Sequence, residues 1–365
     1  MQRKKIFHIV SHLDVGGAER VAVNIAESAT EDIEYHVVEL IRAHGAFTKV
    51  LIKELQDHNI CYHRGWIPEF HFHYLFERLA ALTFPLWFLW LFLKYKPRAI
   101  HCHTEMPDLA TYCFFRLFPW TLKRCKIVRT IHNTRLWTGM ERTGQRVEAF
   151  FIRQNANVAI SEAVRKNYQN IYHACPPIIY NGVAPVIQQP YPHLKTDKTN
   201  ILFAGRFEEQ KGIDTLIEII KSQKDNPCCY FHVIGGGSLE AVLTEQLAEC
   251  SNVSICKPLF NLASYMASFD FLLMPSRFEG LSILSLEASF NGLPAIINAC
   301  PGLYETLPED WPLRVEHNDL KAYQHLFNEV LPTANRTNLQ AKARLFAENN
   351  FSMKHMQESY EKLYG

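Results

Sequence analysis

Two glutamates, Glu279 and Glu287, stand in the stretch FEGLSILSLEA with seven residues between them. The preceding FLLMPS reads as a strand and FEG as its exit loop. Ser282 reads as the N-cap of a helix running to about Asn291, with Gly292 and Pro294 beyond its end. Glu279 then precedes the helix and Glu287 lies inside it. Eight helical residues rise about 12 Å, too far for the carboxylates to share one proton or clamp one small ion. They must address different parts of a long ligand. Ionised carboxylates only accept hydrogen bonds, so hydroxyls are their natural partners, while amides at a helix start favour phosphate. A ligand with a hydroxylated ring at each end and phosphates between them, a nucleotide sugar, meets both needs.

Two cations occupy a comparable position upstream. NILFAGRFEEQKGIDTLIEII reads as a strand, a loop carrying Arg206 and Lys211, then Gly212 before a helix. Such a loop suits a diphosphate, with Arg gripping two oxygens and Lys acting as a point charge. The other reading is a solvated basic loop offset by Glu208 and Glu209. Near the start, Gly16 and Gly17 follow a strand and lead into a helix. Glycines there let backbone amides approach an anion closely, though the pair also simply permits a tight turn. His101 and His103 fall on one face of a strand and could bind metal with Glu105, but no further ligand set is apparent. His71 and His73 read as aromatic packing or acceptor-loop residues, and Gly235 to Gly237 as a turn.

These residues need a scaffold of strands with ligand-facing ends. Short apolar runs alternate with helical patterns: KIFHIV, YHVVEL, RAIHCH, KIVRTI and VAI in the first half, NILFAG, YFHVIG, VSIC, FLLMP and PAIIN in the second. Each series is the signature of a parallel sheet covered by helices, so the fold class is α/β with two Rossmann-like domains in tandem. Ligands of such sheets collect beyond the carboxyl ends of the strands, and two tandem domains would face their crevices toward one cleft. Residues 1–187 read as the first domain, 188–200 as a proline-rich linker, 201–345 as the second domain, and 346–365 as a C-terminal helix that packs back on the first. At 365 residues, 48% hydrophobic and 21% charged, the chain is long enough for two cores and not disordered. With 38 basic against 37 acidic residues, nothing global points to nucleic acid. Ten scattered cysteines without a CxxC pair suit reduced thiols and a cytoplasmic protein.

The motif set resembles the retaining glycosyltransferases of family 4, which have the GT-B fold. GGAER near the amino end, GRFEEQKG after the linker, PSRFEG, the two spaced glutamates and NGLPAIIN occur in the family's order. IHNT, AISEAV and IIYNGV add further matches. Ala184 stands where the family often has Asp, and Leu281 and Ser282 vary a loop that more often carries glycine. The resemblance implies that Arg206 and Lys211 bind the donor diphosphate, Glu287 the ribose hydroxyls, and Glu279 the transferred sugar. It implies that the Gly280, Leu281 and Ser282 amides sit against sugar and phosphate, that His132 lies near the donor sugar, and that Gly16 and Gly17 line the first domain's side. The expected reaction is sugar transfer from a nucleotide-sugar donor, preferably a UDP-sugar, to a glycan or lipid-linked acceptor in bacterial surface-polysaccharide assembly. A phosphorylase, an epimerase or a silent sugar-nucleotide binder are the alternatives. No Asp-x-Asp occurs in the chain, so no metal cofactor is expected.

One segment stands apart. Leu79 to Leu93, LAALTFPLWFLWLFL, is too short to span a bilayer and reads as a helix buried against a sheet. Its crowded aromatics, flanked by Arg78, Lys94, Lys96 and Arg98, exceed what one helical face buries, which points to peripheral contact with the cytoplasmic face of a membrane, Trp87 and Trp90 included.

Overall fold

The computed structural model describes residues 3–14, 16–27, 30–69 and 73–365, with side chains from 78 onward in the last segment. The expectations for His71 and for the side chain of His73 lie outside these. The chain forms two compact units, Met1–Gly182 with Met353–Gly365, and Val183–Ser352.

In the first unit the strands β1 (Lys4–Val10), β2 (Ile33–Glu39), β4 (Cys61–His63), β6 (Ala99–His103), β7 (Lys126–Ile131) and β8 (Asn157–Ala159) form one parallel sheet in the order β4-β2-β1-β6-β7-β8. Two-residue strands β3 (Ile41–Arg42) and β5 (Ile67–Pro68) pair separately. Its helices are α1 (Gly17–Glu27), α2 (Ala46–Asp57), α3 (His73–Tyr95), α4 (Glu105–Leu117), α5 (Glu141–Arg153) and α6 (Glu162–Tyr172). The second unit repeats the plan. The strands β9 (Thr199–Arg206), β10 (Cys229–Gly236), β11 (Val253–Cys256), β12 (Phe271–Met274), β13 (Ala295–Asn298) and β14 (Arg314–Val315) run parallel in the order β11-β10-β9-β12-β13-β14. Its helices are α7 (Ile213–Ser222), α8 (Glu240–Gln246), α9 (Ile283–Phe290), α10 (Leu320–His325) and α11 (Arg336–Asn350). The last helix, α12 (Met353–Tyr364), belongs to the first unit, where Tyr360 and Tyr364 are buried.

Both sheets have the doubly wound order in which the chain turns outward in opposite directions from two adjacent central strands. The crevice at that reversal is where such sheets bind ligands. It lies between β1 and β6 in the first unit and between β9 and β12 in the second. The central strands are buried on both faces, which is why they read as nearly continuous apolar runs.

The unit boundaries at 182/183 and 352/353 differ from the expected 187, 200 and 345. The segment read as a linker is fastened to the second unit. The Gln189 amide donates to Ser264, the Gln188 side chain to Ala263 and Asn291, and Tyr191 enters the core. Its prolines stop regular structure without freeing the chain.

Helix α3 is apolar all round because it has two apolar faces. Phe84, Trp87, Phe88, Leu91 and Phe92 join the core. Leu79, Leu82, Leu86, Trp90 and Leu93 are exposed, each on the side away from that core. Trp87 is 7% exposed and Trp90 60%, so the expectation that both face outward is corrected for Trp87. Among the described residues no helix is long and apolar enough to cross a membrane. All ten cysteines are free thiols.

Candidate active site

At the reversal point of the second unit three loops interlock. β9 ends at Arg206, buried Phe207 anchors the chain, and a tight turn over Glu209–Lys211 leads to Gly212. Gly212 has φ 68°, and a Cβ there would run into the Pro275 carbonyl oxygen. Glycine therefore brings the loop after β9 hard against the end of β12. The Arg277 amide donates to the Gln210 carbonyl at 2.8 Å, and Gln210 Nε2 to the Phe278 carbonyl at 3.1 Å. The loop after β13 closes the group, because the Glu279 amide donates to Pro301 at 2.9 Å and the Ser282 amide to Gly302 at 3.1 Å. Gly302, φ 75°, passes so close to the Glu279 carbonyl that no side chain fits.

This packing sets Lys211 Nζ 2.6 Å from Glu279 Oε1, with both side chains largely buried. The lysine stem crosses Gly205, close enough that a Cβ there would only touch it in ordinary van der Waals contact. Arg206, the last residue of β9, is exposed. The two acids that might have neutralised this loop are otherwise engaged: Glu208 accepts from the Ser238 amide and hydroxyl, and Glu209 pairs with Arg277 at 2.9 Å. The Ser238 bonds, with Arg206 adding to them, hold the Glu208 carboxyl below its usual range. Ser282 caps α9 by accepting from the Ser285 amide, the arrangement expected from its position. Its own amide is taken by Gly302, so of the three amides assigned to phosphate that of Ser282 is engaged within the protein. Leu281 is buried, and Glu287 is half-buried inside α9. A depression of about 640 Å³ adjoins the group through Cys300 and Pro301; its lining includes Asp214, Arg277, Asn298 and His317 but not Arg206, Lys211, Glu279 or Glu287.

In the first unit the expected residues also sit at strand ends. Gly16 precedes α1, and a Cβ there would strike the Glu19 carboxylate; Gly17 opens the helix, exposed and uncrowded. The clash at Gly16 is with the flexible end of the Glu19 side chain, which can move aside, so the backbone itself demands glycine at neither position. Thr104 follows β6 with φ 73°, strained for a threonine, and its hydroxyl lies 2.9 Å from that of Ser11 after β1. His132 follows β7, nearly buried, with its Nε2 3.0 Å from His103 Nδ1. Burial, with Arg129 adding to it, lowers its pKa to about 3, so it is neutral at pH 7.

Two arrangements form only in the fold. Arg129, buried on β7, bonds Asp108 at 2.7 Å and Glu148 through both terminal nitrogens at 2.5 and 2.7 Å, while Trp137 and Tyr168 also donate to Glu148. Burial raises the Asp108 pKa to about 7 against the pull of Arg129. The second feature is a set of buried histidines: His8, His101 and His103 each bring a ring nitrogen within 4.8 Å of the others. Glu105 is not among them, so the ligand set imagined from IHCHTE does not form. Both nitrogens of His101 are engaged, by Tyr364 at 2.8 Å and Thr130 at 2.6 Å, which makes metal binding there a poor fit. Glu34, His36 and Cys61 also converge, but His36 Nε2 already meets the Glu34 carboxylate at 2.8 Å and the Lys5 ammonium lies 3.9 Å from it.

Residues 15–186 match the model of Glycosyltransferase Family 4, and residues 198–331 that of Glycosyl transferases group 1. The chain is 27% identical over 301 residues to an uncharacterized 41.2 kDa protein in the cps region of Klebsiella pneumoniae, covering 74% of this chain and 80% of that one. It is 26% identical over 187 residues to the capsular polysaccharide biosynthesis glycosyltransferase CapM of Staphylococcus aureus, 49% of each chain. Anabaena Alr3699/HepE, solved in complex with UDP and glucose, superposes with a TM-score of 0.79 over 99% of both chains at 18% identity. The two domain models together span most of the chain, each on its own doubly wound unit. The chain therefore belongs to glycosyltransferase family 4 and is a glycosyltransferase of the GT-B type.

Proposed function

We propose that the enzyme transfers a sugar, with retention of configuration, from a UDP-sugar to a glycan or lipid-linked acceptor during assembly of a cell-surface polysaccharide. The observation that carries this reading is the Lys211 to Glu279 contact at the reversal point of the second sheet. There a cation and a carboxylate stand where a diphosphate and a sugar hydroxyl would each find a partner. As the nucleotide leaves, charge builds on the diphosphate while the sugar becomes oxocarbenium-like, and fixed cations stabilise the first. Arg206 and Lys211 take that role, Glu279 orients the transferred sugar, and Glu287 holds the ribose. Gly280, Leu281 and Ser282 shape the donor site. Gly16, Gly17 and His132 are proposed as donor contacts from the first domain. With two cations present, no divalent ion is needed. The cps-region relative and CapM support the surface-polysaccharide setting, and the UDP-bound HepE structure supports UDP as the donor nucleotide.

The exposed stripe of α3 supports peripheral membrane contact, where a lipid-linked acceptor would be met at the cytoplasmic face. Exposed Arg78, Lys94 and Lys96 flank it, and Lys94 lies 4.7 Å above the Trp90 ring.

A thermal-shift panel of UDP-, GDP- and ADP-sugars tests the donor, because a ligand that binds only the folded state raises Tm. Donor hydrolysis without acceptor, seen for wild type and lost in Lys211→Ala, tests the chemistry. The anomeric configuration of the product, read by NMR, tests retention. A Tm response to none of the UDP-sugars would remove the donor assignment.

A further inference from the structure

Three buried histidines of the first domain form a chain that ends at His132. His8 Nδ1 lies 2.9 Å from His103 Nε2, and His103 Nδ1 lies 3.0 Å from His132 Nε2. They come from β1, β6 and the exit of β7, and each is 9% exposed or less. Burial lowers the pKa of His8 and His132 to about 3 and that of His103 well below its ordinary value, so all three rings are neutral at pH 7.

A neutral imidazole has one N–H and one bare nitrogen. Two successive nitrogen-to-nitrogen bonds therefore admit only two proton patterns. In the first, His8 Nδ1–H donates to His103, His103 Nδ1–H donates to His132, and His132 carries its proton on Nδ1. In the second every bond is reversed, and His132 Nδ1 is bare. The far end distinguishes them. His8 Nε2 is buried with no hydrogen-bond partner among the described residues. The first pattern leaves a bare nitrogen there, whereas the second leaves a buried N–H with no acceptor, the kind of orphan that folded proteins tolerate least. At the near end, His132 Nδ1 has no hydrogen-bond partner among the described residues.

We propose that His8 and His103 are positioning residues that hold His132 in a single neutral tautomer, its proton on Nδ1, so that it offers a hydrogen-bond donor to a hydroxyl of the transferred sugar. The sugar contact rests on the reading of His132 as a donor-site residue; the tautomer does not. His132 then acts as a fixed donor and not as an acid or base.

The ring nitrogen shifts of protein labelled with 15N-histidine report each tautomer directly. In wild type His132 should be wholly Nδ1–H; an Nε2–H ring or an even mixture overturns the proposal. His8→Phe removes the far end without replacing any residue that bonds His132 itself, and should give a mixture at His132. A ring that stays wholly Nδ1–H shows that His8 does not set it. His103→Gln, whose amide can still donate to His132 Nε2, should keep the tautomer where His103→Leu loses it, and the reverse order counts against the chain. If His8→Phe does not fold, the wild-type spectrum and His103→Gln still decide. Donor hydrolysis should fall about tenfold in His132→Ala, the scale of one lost hydrogen bond. Unchanged hydrolysis beside the expected spectrum would remove the sugar contact and leave the tautomer assignment standing.

Discussion

In the proposed reaction Lys211 serves a diphosphate while already holding Glu279, and that double duty would make its removal costly in two ways. Lys211→Ala or Arg206→Ala should each lower turnover about a hundredfold or more, since each withdraws charge from the leaving diphosphate. Near-wild-type turnover in both would sink the assignment. Stability should separate them. Lys211→Ala leaves the nearly buried Glu279 carboxylate without its cation and should lower Tm, whereas exposed Arg206→Ala should not. On the proposed assignment the glutamates should also divide: Glu279→Ala, at the reacting sugar, should mainly reduce kcat, and Glu287→Ala, at the ribose, should mainly raise the donor KM. Equal KM effects with kcat unchanged in both would contradict that division. Activity should survive EDTA, and complete loss restored by added Mn²⁺ would reveal a metal requirement.

At the scale of elements, α3 shows how a uniformly apolar helix can serve two surfaces. Residues three apart on a helix are separated by about 60° around its axis, and the edge of the buried stripe falls between Trp87 and Trp90. The two tryptophans should accordingly behave differently. Leu86→Ser with Trp90→Ser should leave Tm nearly unchanged but reduce pelleting with anionic liposomes, with high salt weakening wild-type binding as well. Trp87→Ala should instead destabilise the first domain by about 3 to 5 kcal/mol. Wild type remaining in the supernatant at low salt would end the membrane proposal. The charges flanking the stripe are not equivalent either, since Arg98 is drawn to the Gly365 carbonyl at 3.3 Å.

For the whole molecule, the buried histidines make pH a domain-specific variable. His8 and His132 take a proton near pH 6.5 when unfolded and near pH 3 when folded. Between those values the unfolded state binds more protons, so stability falls as pH falls, by about 2 kcal/mol for each group from pH 6.5 to 5. His101 and His103 act in the same direction. Asp108, raised to about 7, opposes them by gaining stability as pH falls from 7 toward 3.8. In the second domain His232, lowered to about 4, acts in the same direction. Proteolysis at pH 7.5 and 5, with fragments mapped by mass, should therefore show the first domain opening first in acid; equal susceptibility of both would refute this. The sequence alone determined the kind and order of the main elements, the helix start at Ser282, and the strand-end loops that carry Arg206, Lys211, Glu279 and His132. Those features follow from apolar periodicity and capping, which act over a few residues. The short strands β4 and β14, of three and two residues, left no such pattern. Only the tertiary structure decided that Lys211 meets Glu279, 68 positions away, that His8 reaches His132 through His103, that Arg129 is enclosed by Asp108 and Glu148, and which face of α3 is covered. Those partners are chosen by which strands become neighbours in the sheet, and burial, which sets their protonation, exists only once the layers have closed.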